Sequence, residues 1–489
     1  MPLSSAAKWR GLAKCLLFGA IFYFLFFWDL TGVGTLGPDE PRYAAIGQEM
    51  ARSGDWITPR LWGEPWFEKP ALLYWLIGVG FRAGLSEDLA PRLPVALISV
   101  GFLLFYYWIL RREFEVRAAL FATAILGTSA GWLSFSQVGV TDLPMAAAFS
   151  AAMLLCLPWI RGEATTNQGA RSLSPVLLGL AVLAKGLVPL VLALPLAWAG
   201  RRRLGAWLRP APIVAFLIVA APWYVVCALV NGSQFLSDFF LRHHVGRFSS
   251  DLLQHEQPLW FYLPVLLGGL FPWTPLVAVL FRKRAYADPR RQFFLLWLLF
   301  GLVFFSVSLN KLPSYLLPLL PAASALLGLG LAELKRAQWL LAASAVLLVV
   351  IPVIAAILPE ALLKGLTHVT LAPLPWLWLL PVVALAGWVW WQESRAQRLV
   401  AVWAIVVAMT AGVVWLKATS FPVLDGWVSA RVFWRQISGV AAEVCVEEAN
   451  RSWLYSLNYY SGEPLPGCKQ TPRRRHLRQA PGSLPELGP

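Results

Sequence analysis

Long apolar runs recur along this chain, and short polar clusters punctuate them. Cys15–Trp28, Pro94–Leu110, Ala118–Phe135, Leu143–Trp159, Pro212–Val230 and Trp260–Phe281 read as membrane helices. So do Phe293–Leu309, Leu316–Leu331, Trp339–Leu358, Trp376–Trp391 and Leu399–Leu416. Pro175–Trp198 carries Lys185-Gly186 in its middle and predicts two short helices turning there. Together these make about thirteen crossings of an all-α integral membrane protein. Ala71–Ala83 is too short for an ordinary span and predicts a re-entrant or interfacial helix.

The polar clusters orient the helices. Lys8/Arg10/Lys14, Arg111/Arg112/Arg117, Arg201–Arg203, Arg282–Arg284 with Arg290/Arg291, and Lys335/Arg336 sit between apolar runs, as the positive-inside rule expects of cytoplasmic loops. The N-terminus is then cytoplasmic and leads into an uncleaved first helix. Pro38–Pro70, Asp142, Lys185, Asn231–Pro258 and Lys311–Tyr315 all fall on the outer side. The chain divides into a membrane domain over 1–416, with its first outer loop at 31–92, and a small extracytoplasmic segment over 417–489 ending in a disordered tail from Pro481. Arg473–Arg475 and Arg478 lie on the outer side too, beyond the distance over which the rule applies.

Composition supports the membrane assignment: of 489 residues, 58% are hydrophobic and only 14% charged. The net charge of +15 comes from the loop clusters, so it orients helices and does not mark a nucleic-acid surface. Cys15, Cys156 and Cys227 fall in apolar segments, whereas Cys445 and Cys468 flank a polar stretch and can pair in an oxidising compartment. No P-loop, Rossmann fingerprint, nucleophile elbow or metal-spaced Cys/His motif is present.

The candidate chemistry concentrates in Pro38–Pro70, where acids and bases follow the first apolar run. Asp39 and Pro41 suggest a helix start and Gly54 a stop, with Tyr43, Ile46, Gly47 and Met50 on one face of an amphipathic helix in the interface. Asp39, Arg42 and Tyr43 share a face. Trp56, Trp62, Trp66 and Phe67 suit belt anchors. Glu68-Lys69 pairs a carboxylate with an ammonium, either as an interfacial ion pair or as a metal-and-phosphate site. Asp142 stands at a helix mouth, as a cap or as a catalytic group. His243, His244, His255 and Glu256 lie in the polar loop before Pro258, where they are solvated or bind metal.

The motifs Asp39-Glu40-Pro41-Arg42-Tyr43, Phe67-Glu68-Lys69-Pro70 and Thr141-Asp142, with Ala184-Lys185-Gly186 and Lys311-Leu312-Pro313-Ser314-Tyr315, resemble the lipid A 4-amino-4-deoxy-L-arabinose transferases and the wider protein O-mannosyltransferase-related group. The resemblance implies a GT-C fold and an inverting glycosyltransferase using a polyprenyl-phosphate-linked sugar at the outer face of a bacterial inner membrane. It implies Asp39 and Asp142 as essential carboxylates, Glu68 and His255 as ligands of a divalent metal, and Lys69, Arg42 and Tyr315 around the donor phosphate. Glu40 joins the candidate catalytic carboxylates, and Tyr43 and Lys311 the candidate phosphate-binding groups. The acceptor stays open among lipid A, another glycan, a lipid and a protein, because the C-terminal segment looks shorter than in many relatives. A lipid-linked sugar flippase is the competing class. It would need charges along a midplane path and often internal repeats, and no repeat is evident. A channel would leave the acid/base cluster unexplained.

Overall fold

The structure is a computed structural model that describes residues 15–162, 168–201, 209–239, 257–282, 286–365, 368–370 and 376–488, without the side chains of 168–172. Seven helices are long and apolar enough to cross a membrane: Leu93–Glu113, Asp142–Arg161, Pro210–Phe239, Pro289–Val307, Pro313–Glu333, Gln338–Lys364 and Arg398–Val428. An eighth span is counted if Leu259–Gly269 and Thr274–Phe281, bent by 114°, form one crossing. The chain is a polytopic membrane protein.

Several expected helices break for local reasons. The run 118–135 divides into Val116–Thr128 and Ala130–Phe135 at Ser129, whose backbone is extended while Ala130 N donates across to Phe271 O at 2.9 Å. The run 260–281 bends where Pro272 follows Gly268 and Gly269, since proline cannot continue the ladder. The turn expected at Lys185-Gly186 is present, with Gly186 in the left-handed region at φ +85°.

One side of the molecule is organised by the segment 30–92. The Asp39–Ser53 helix ends at Gly54 (φ +77°), as its sequence suggests, but Pro38 precedes it without a side-chain cap and Asp39 is its first residue. Ten of its residues are buried, so protein covers most of its surface. The Leu72–Arg82 helix covers one flank, too short to cross. Gly47 and Gly78 permit the close approach: a Cβ on Gly47 would sit 2.6 Å from Ile77, and one on Gly78 3.1 Å from Gly47 O. Between these helices a hairpin pairs Arg60–Leu61 with Glu64–Pro65.

A buried ion pair fastens this layer to the bundle. Glu40 and Arg92 are almost fully enclosed. Arg92 Nε and Nη2 donate to the two Glu40 oxygens at 2.8 Å each, and the remaining guanidinium contacts are to the carbonyls of Leu30, Val33 and Gly34. Glu40 also accepts from Leu36 N at 2.7 Å and Gly139 N at 2.8 Å. Its acceptor positions are therefore committed.

The C-terminal segment docks on the same layer. The last long helix runs to Val428, past the expected boundary at Leu416. Arg431 then donates to Asp88 at 2.6 Å and Asp425 at 2.7 Å, and to the carbonyls of Thr31 and Gly32. Tyr460 bridges Asp88 and Thr35 N at 2.8 Å each. A three-stranded sheet follows: Val444–Glu448 is parallel to Arg475–Arg478, which is antiparallel to Glu486–Gly488. That sheet departs from an all-α chain and gives strand structure to part of the expected disordered tail. Cys445 and Cys468 form a disulfide. Of the basic run, Arg475 meets Glu443 and Arg478 meets Glu447, so local acids compensate it.

The opposite ends of the long helices carry a second charged layer. Arg290 contacts Asp288 and Glu113, Arg291 contacts Glu333, and Arg398 contacts Glu393. The 21-residue Leu93–Glu113 helix joins the layers, starting beside Arg92 and ending at Glu113. Its length is about 30 Å, the thickness of a bilayer core.

Replacing Arg92 with methionine strands the Glu40 carboxylate in a buried site, which costs about 3–5 kcal/mol. The detergent-solubilised variant should melt several degrees lower, whereas Asp39→Asn should leave the melting temperature nearly unchanged. Equal melting curves for Arg92→Met and the parent chain would refute this anchoring role.

Candidate active site

Four residues of Pro38–Pro70 form one chain of charge. Arg42 reaches Asp39 one turn back along the helix, and its Nη1 donates to Glu68 Oε2 at 2.7 Å. Lys69 Nζ donates to the other Glu68 oxygen at 2.9 Å. Arg42, Glu68 and Lys69 are buried, while the Asp39 side chain is 44% exposed. Burial opposes the Arg42 cation, but the Glu68 and Asp39 carboxylates overcome this and hold its pKa above the usual arginine range. Asp39 is thus the member that stays open to a substrate.

Aromatic rings fix the guanidinium. Arg42 lies 5.6 Å from the Trp66 ring, 5.2 Å from Tyr455 and 5.9 Å from Tyr43. Trp66 and Phe67 are therefore not belt anchors: Trp66 packs on Arg42, and Phe67 is buried against Phe235 at 5.2 Å. Tyr43, expected near the donor phosphate, is enclosed and packs on Tyr74 at 5.7 Å, so it serves the core of this layer.

A second cluster assembles from three distant segments. Asp142, the first residue of its helix, accepts from Lys185 Nζ at 2.5 Å. Ser314 and Lys69 are near enough to act on Asp142 electrostatically. The Lys185 ammonium lies 5.0 Å from the Tyr315 ring. Lys311 is buried and donates to Gln257 O at 2.9 Å. The two clusters are therefore neighbours, both at helix termini on the Arg92 side of the bundle.

Glu40 does not join them. Both its oxygens are saturated by buried donors, which suits an anchor and leaves no lone pair for a reacting proton. The residues His243, His244, His255 and Glu256 lie outside the described residues. Glu68 is engaged by both Arg42 and Lys69. Of the expected metal pair of Glu68 and His255, only Glu68 lies within the described residues.

Sequence reasoning missed Lys185 as a site residue, although the Lys-Gly turn inside an apolar run had drawn notice, and it missed Ser314 and Tyr455. Tyr455 carries no local signal, because only folding brings position 455 over position 42. Trp66 Nε1, Tyr74 Oη and Thr141 Oγ1 are buried with no hydrogen-bond partner among the described residues.

This is a polytopic membrane protein with paired acid and base clusters at one end of the bundle, the architecture of GT-C membrane enzymes. Residues 12–201 match the model of the dolichyl-phosphate-mannose-protein mannosyltransferase family. An undecaprenyl phosphate-α-4-amino-4-deoxy-L-arabinose arabinosyl transferase of Pseudomonas fluorescens is 35% identical over 345 residues, covering 68% of this chain and 57% of the relative. One from Pseudomonas aeruginosa is 33% identical over 329 residues, covering 65% and 58%. The chain thus spans less than two thirds of the length of these relatives. The crystal structure of ArnT from Cupriavidus metallidurans bound to undecaprenyl phosphate superposes with a TM-score of 0.73 at 25% identity, covering 93% of this chain and 85% of that one. An oligosaccharyltransferase of Archaeoglobus fulgidus shares the fold at a TM-score of 0.53 and 14% identity. In sequence and in fold the chain is thus similar to the aminoarabinose transferases, and over residues 12–201 to the protein mannosyltransferases.

The Asp142–Lys185 pair allows a direct check of the second cluster. Lys185→Met leaves a buried carboxylate unpaired and should destabilise the protein by about 3–5 kcal/mol. Adding Asp142→Asn to it should recover most of that loss. Additive losses in a double-mutant cycle would show that the two side chains do not interact.

Proposed function

We propose that the chain is an inverting glycosyltransferase that moves a sugar from a polyprenyl-phosphate donor to an acceptor at the extracytoplasmic face of a bacterial inner membrane. One observation carries this reading. Asp39, half exposed, stands at one end of a charge relay whose other end, Lys69, lies close enough to the Asp142–Lys185 pair to act on it electrostatically. A carboxylate and several cations at adjoining positions are what displacement at a sugar phosphate requires.

In that reaction an acceptor oxygen attacks the anomeric carbon from the side opposite the phosphate, which inverts the configuration. The bond from the anomeric carbon to the phosphate oxygen breaks, and its electron pair stays on the departing lipid phosphate. Lys69, with Lys185 and Lys311 behind it, offsets the charge that develops there. Arg42 holds Glu68 and Asp39 in register and keeps Lys69 oriented through Glu68. Where the acceptor is a hydroxyl, Asp39 takes its proton. Where the acceptor is already a phosphate, no proton leaves and Asp39 orients the acceptor. The names of the relatives favour aminoarabinose as the sugar and undecaprenyl phosphate as the carrier. A glycolipid such as lipid A then suits the acceptor.

Asp39→Asn and Lys69→Ala should each lower transfer from a radiolabelled polyprenyl-phosphate sugar by about 10²–10⁴-fold, the range of a lost proton acceptor or charge donor. Both proteins should remain folded by thermal melting. Normal transfer by either variant would refute the assignment, and movement of the labelled lipid across vesicles without sugar transfer would favour the flippase.

The orientation we adopt has about thirteen crossings, the shorter apolar helices completing those long enough on their own. The Cys445–Cys468 disulfide suits an oxidising outer compartment. Glu64 lies in the first outer loop and Arg395 in a short connection at the other end, and both are exposed. A membrane-impermeant maleimide should label Glu64→Cys in intact spheroplasts and leave Arg395→Cys unlabelled. The reverse pattern would invert the topology.

A further inference from the structure

Beside the clusters lies a second polar pocket, of about 360 Å³, that the reaction above does not use. It sits between the Asp39–Ser53 helix, the tip of the Arg60–Pro65 hairpin and the C-terminal Arg451–Ser461 helix. Gln48, Glu49, Arg52, Trp62, Asn458 and Glu463 are among the residues that line it.

Two independent features mark it as a built site. The first is Trp62, which adopts φ +53° and is followed by Gly63 at +86°. A two-residue hairpin turn with both φ values positive ordinarily takes Asn-Gly. A bulky aromatic there is strained and persists only where its surroundings hold it, as at ligand sites. Here Gly63 N donates to both Glu49 oxygens, at 3.1 and 3.2 Å, and the Trp62 ring stacks on Tyr455 at 5.7 Å. The second is Asn458, whose side chain is buried at 4% exposure. Its Oδ1 is committed to Leu465 N at 3.0 Å, and its Nδ2 has no partner among the described residues. Gln48, Arg52 and the Glu463 carboxylate likewise line the pocket without a side-chain hydrogen bond or ion pair among the described residues.

The chemistry of this lining selects its ligand. A simple anion would meet Arg52 and Asn458 but also the Glu463 carboxylate, and a simple cation would meet Arg52. Sugar hydroxyls both donate and accept, so they satisfy a guanidinium, a carboxylate and two amides together, and the C–H face of a ring packs on an indole. Gln48 and Arg52 also sit on the same helix as Arg42. A rise of 1.5 Å per residue puts them about 9–15 Å from it, within the reach of a short glycan.

We propose that this pocket is an acceptor-side saccharide subsite, holding a pyranose ring of the acceptor while a neighbouring group reaches Asp39. The acceptor assignment rests on the transferase reading; the saccharide assignment does not. The test is a titration of the full chain, in lipid nanodiscs, with a glucosamine disaccharide, followed by saturation-transfer NMR. Saturable binding is expected, weakened at least tenfold in a Gln48→Ala/Arg52→Ala/Glu463→Ala variant, the effect of losing one or two charge-assisted hydrogen bonds. These positions are not fully buried, and affinity for undecaprenyl phosphate should be unchanged. Trp62→Gly suits the turn and should keep the fold while losing the sugar. Absence of saturable binding by the parent chain, or equal binding by the triple variant, would overturn the proposal. Asp39→Asn should bind the disaccharide normally while failing to transfer. A parent chain that binds the disaccharide but transfers nothing would overturn the acceptor role and uphold a saccharide site.

Discussion

The Glu40–Arg92 ion pair is the constraint on which the functional end of the molecule depends. It is enclosed at the junction of the first outer loop, the start of the Leu93–Glu113 helix and the segment before Asp142. A buried pair of this kind gains little net stability over an apolar contact, because desolvation consumes most of the attraction. Its value is positional. Arg92 binds three loop carbonyls, those of Leu30, Val33 and Gly34, and Glu40 two backbone amides, so the chain from Leu30 to Leu36 has one geometry. That geometry sets where Asp39, three residues on, emerges.

From this anchor, the site is built by relays of charge in place of one deep cleft. Arg42 spans Asp39 and Glu68, Glu68 spans Arg42 and Lys69, and Lys69 acts electrostatically on Asp142, which Lys185 holds. Each buried ion finds an opposite partner nearby, as a low-dielectric interior demands. Only Asp39 is substantially exposed. The C-terminal segment takes part as well: Arg431 clamps the loop through Asp88, and Tyr455 lies on Arg42. The small domain after the last long helix is therefore continuous with the site.

The membrane class, most span positions, the left-handed turn at Gly186 and the shortness of the Leu72–Arg82 helix were legible in the sequence. They follow from local apolar length and glycine chemistry. The motifs Asp39–Tyr43 and Glu68-Lys69 also marked two segments that the fold brings together. The roles within it were harder to read. Glu40 beside Asp39 looked equally catalytic, and Tyr43 equally ligand-facing, because adjacent helix positions differ by about 100° and sequence does not say which face meets protein. Trp66 and Phe67 likewise looked like interfacial anchors until folding gave them Arg42 and Phe235 as neighbours.

The sequence by itself determined that this chain lives in a membrane and that its acids and bases gather in a few loops, since hydropathy and charge act locally along the chain. Tertiary structure alone decided which of those charges pair. Lys185 meets Asp142 across 43 positions, and Tyr460 meets Asp88 across 372. Such pairings depend on how helices cross, and helix crossing is set by small residues such as Gly47 and Gly78 whose partners lie elsewhere in the chain. The division between anchoring carboxylate and open carboxylate, Glu40 and Asp39, comes from the same source: burial is a property of the assembled layers.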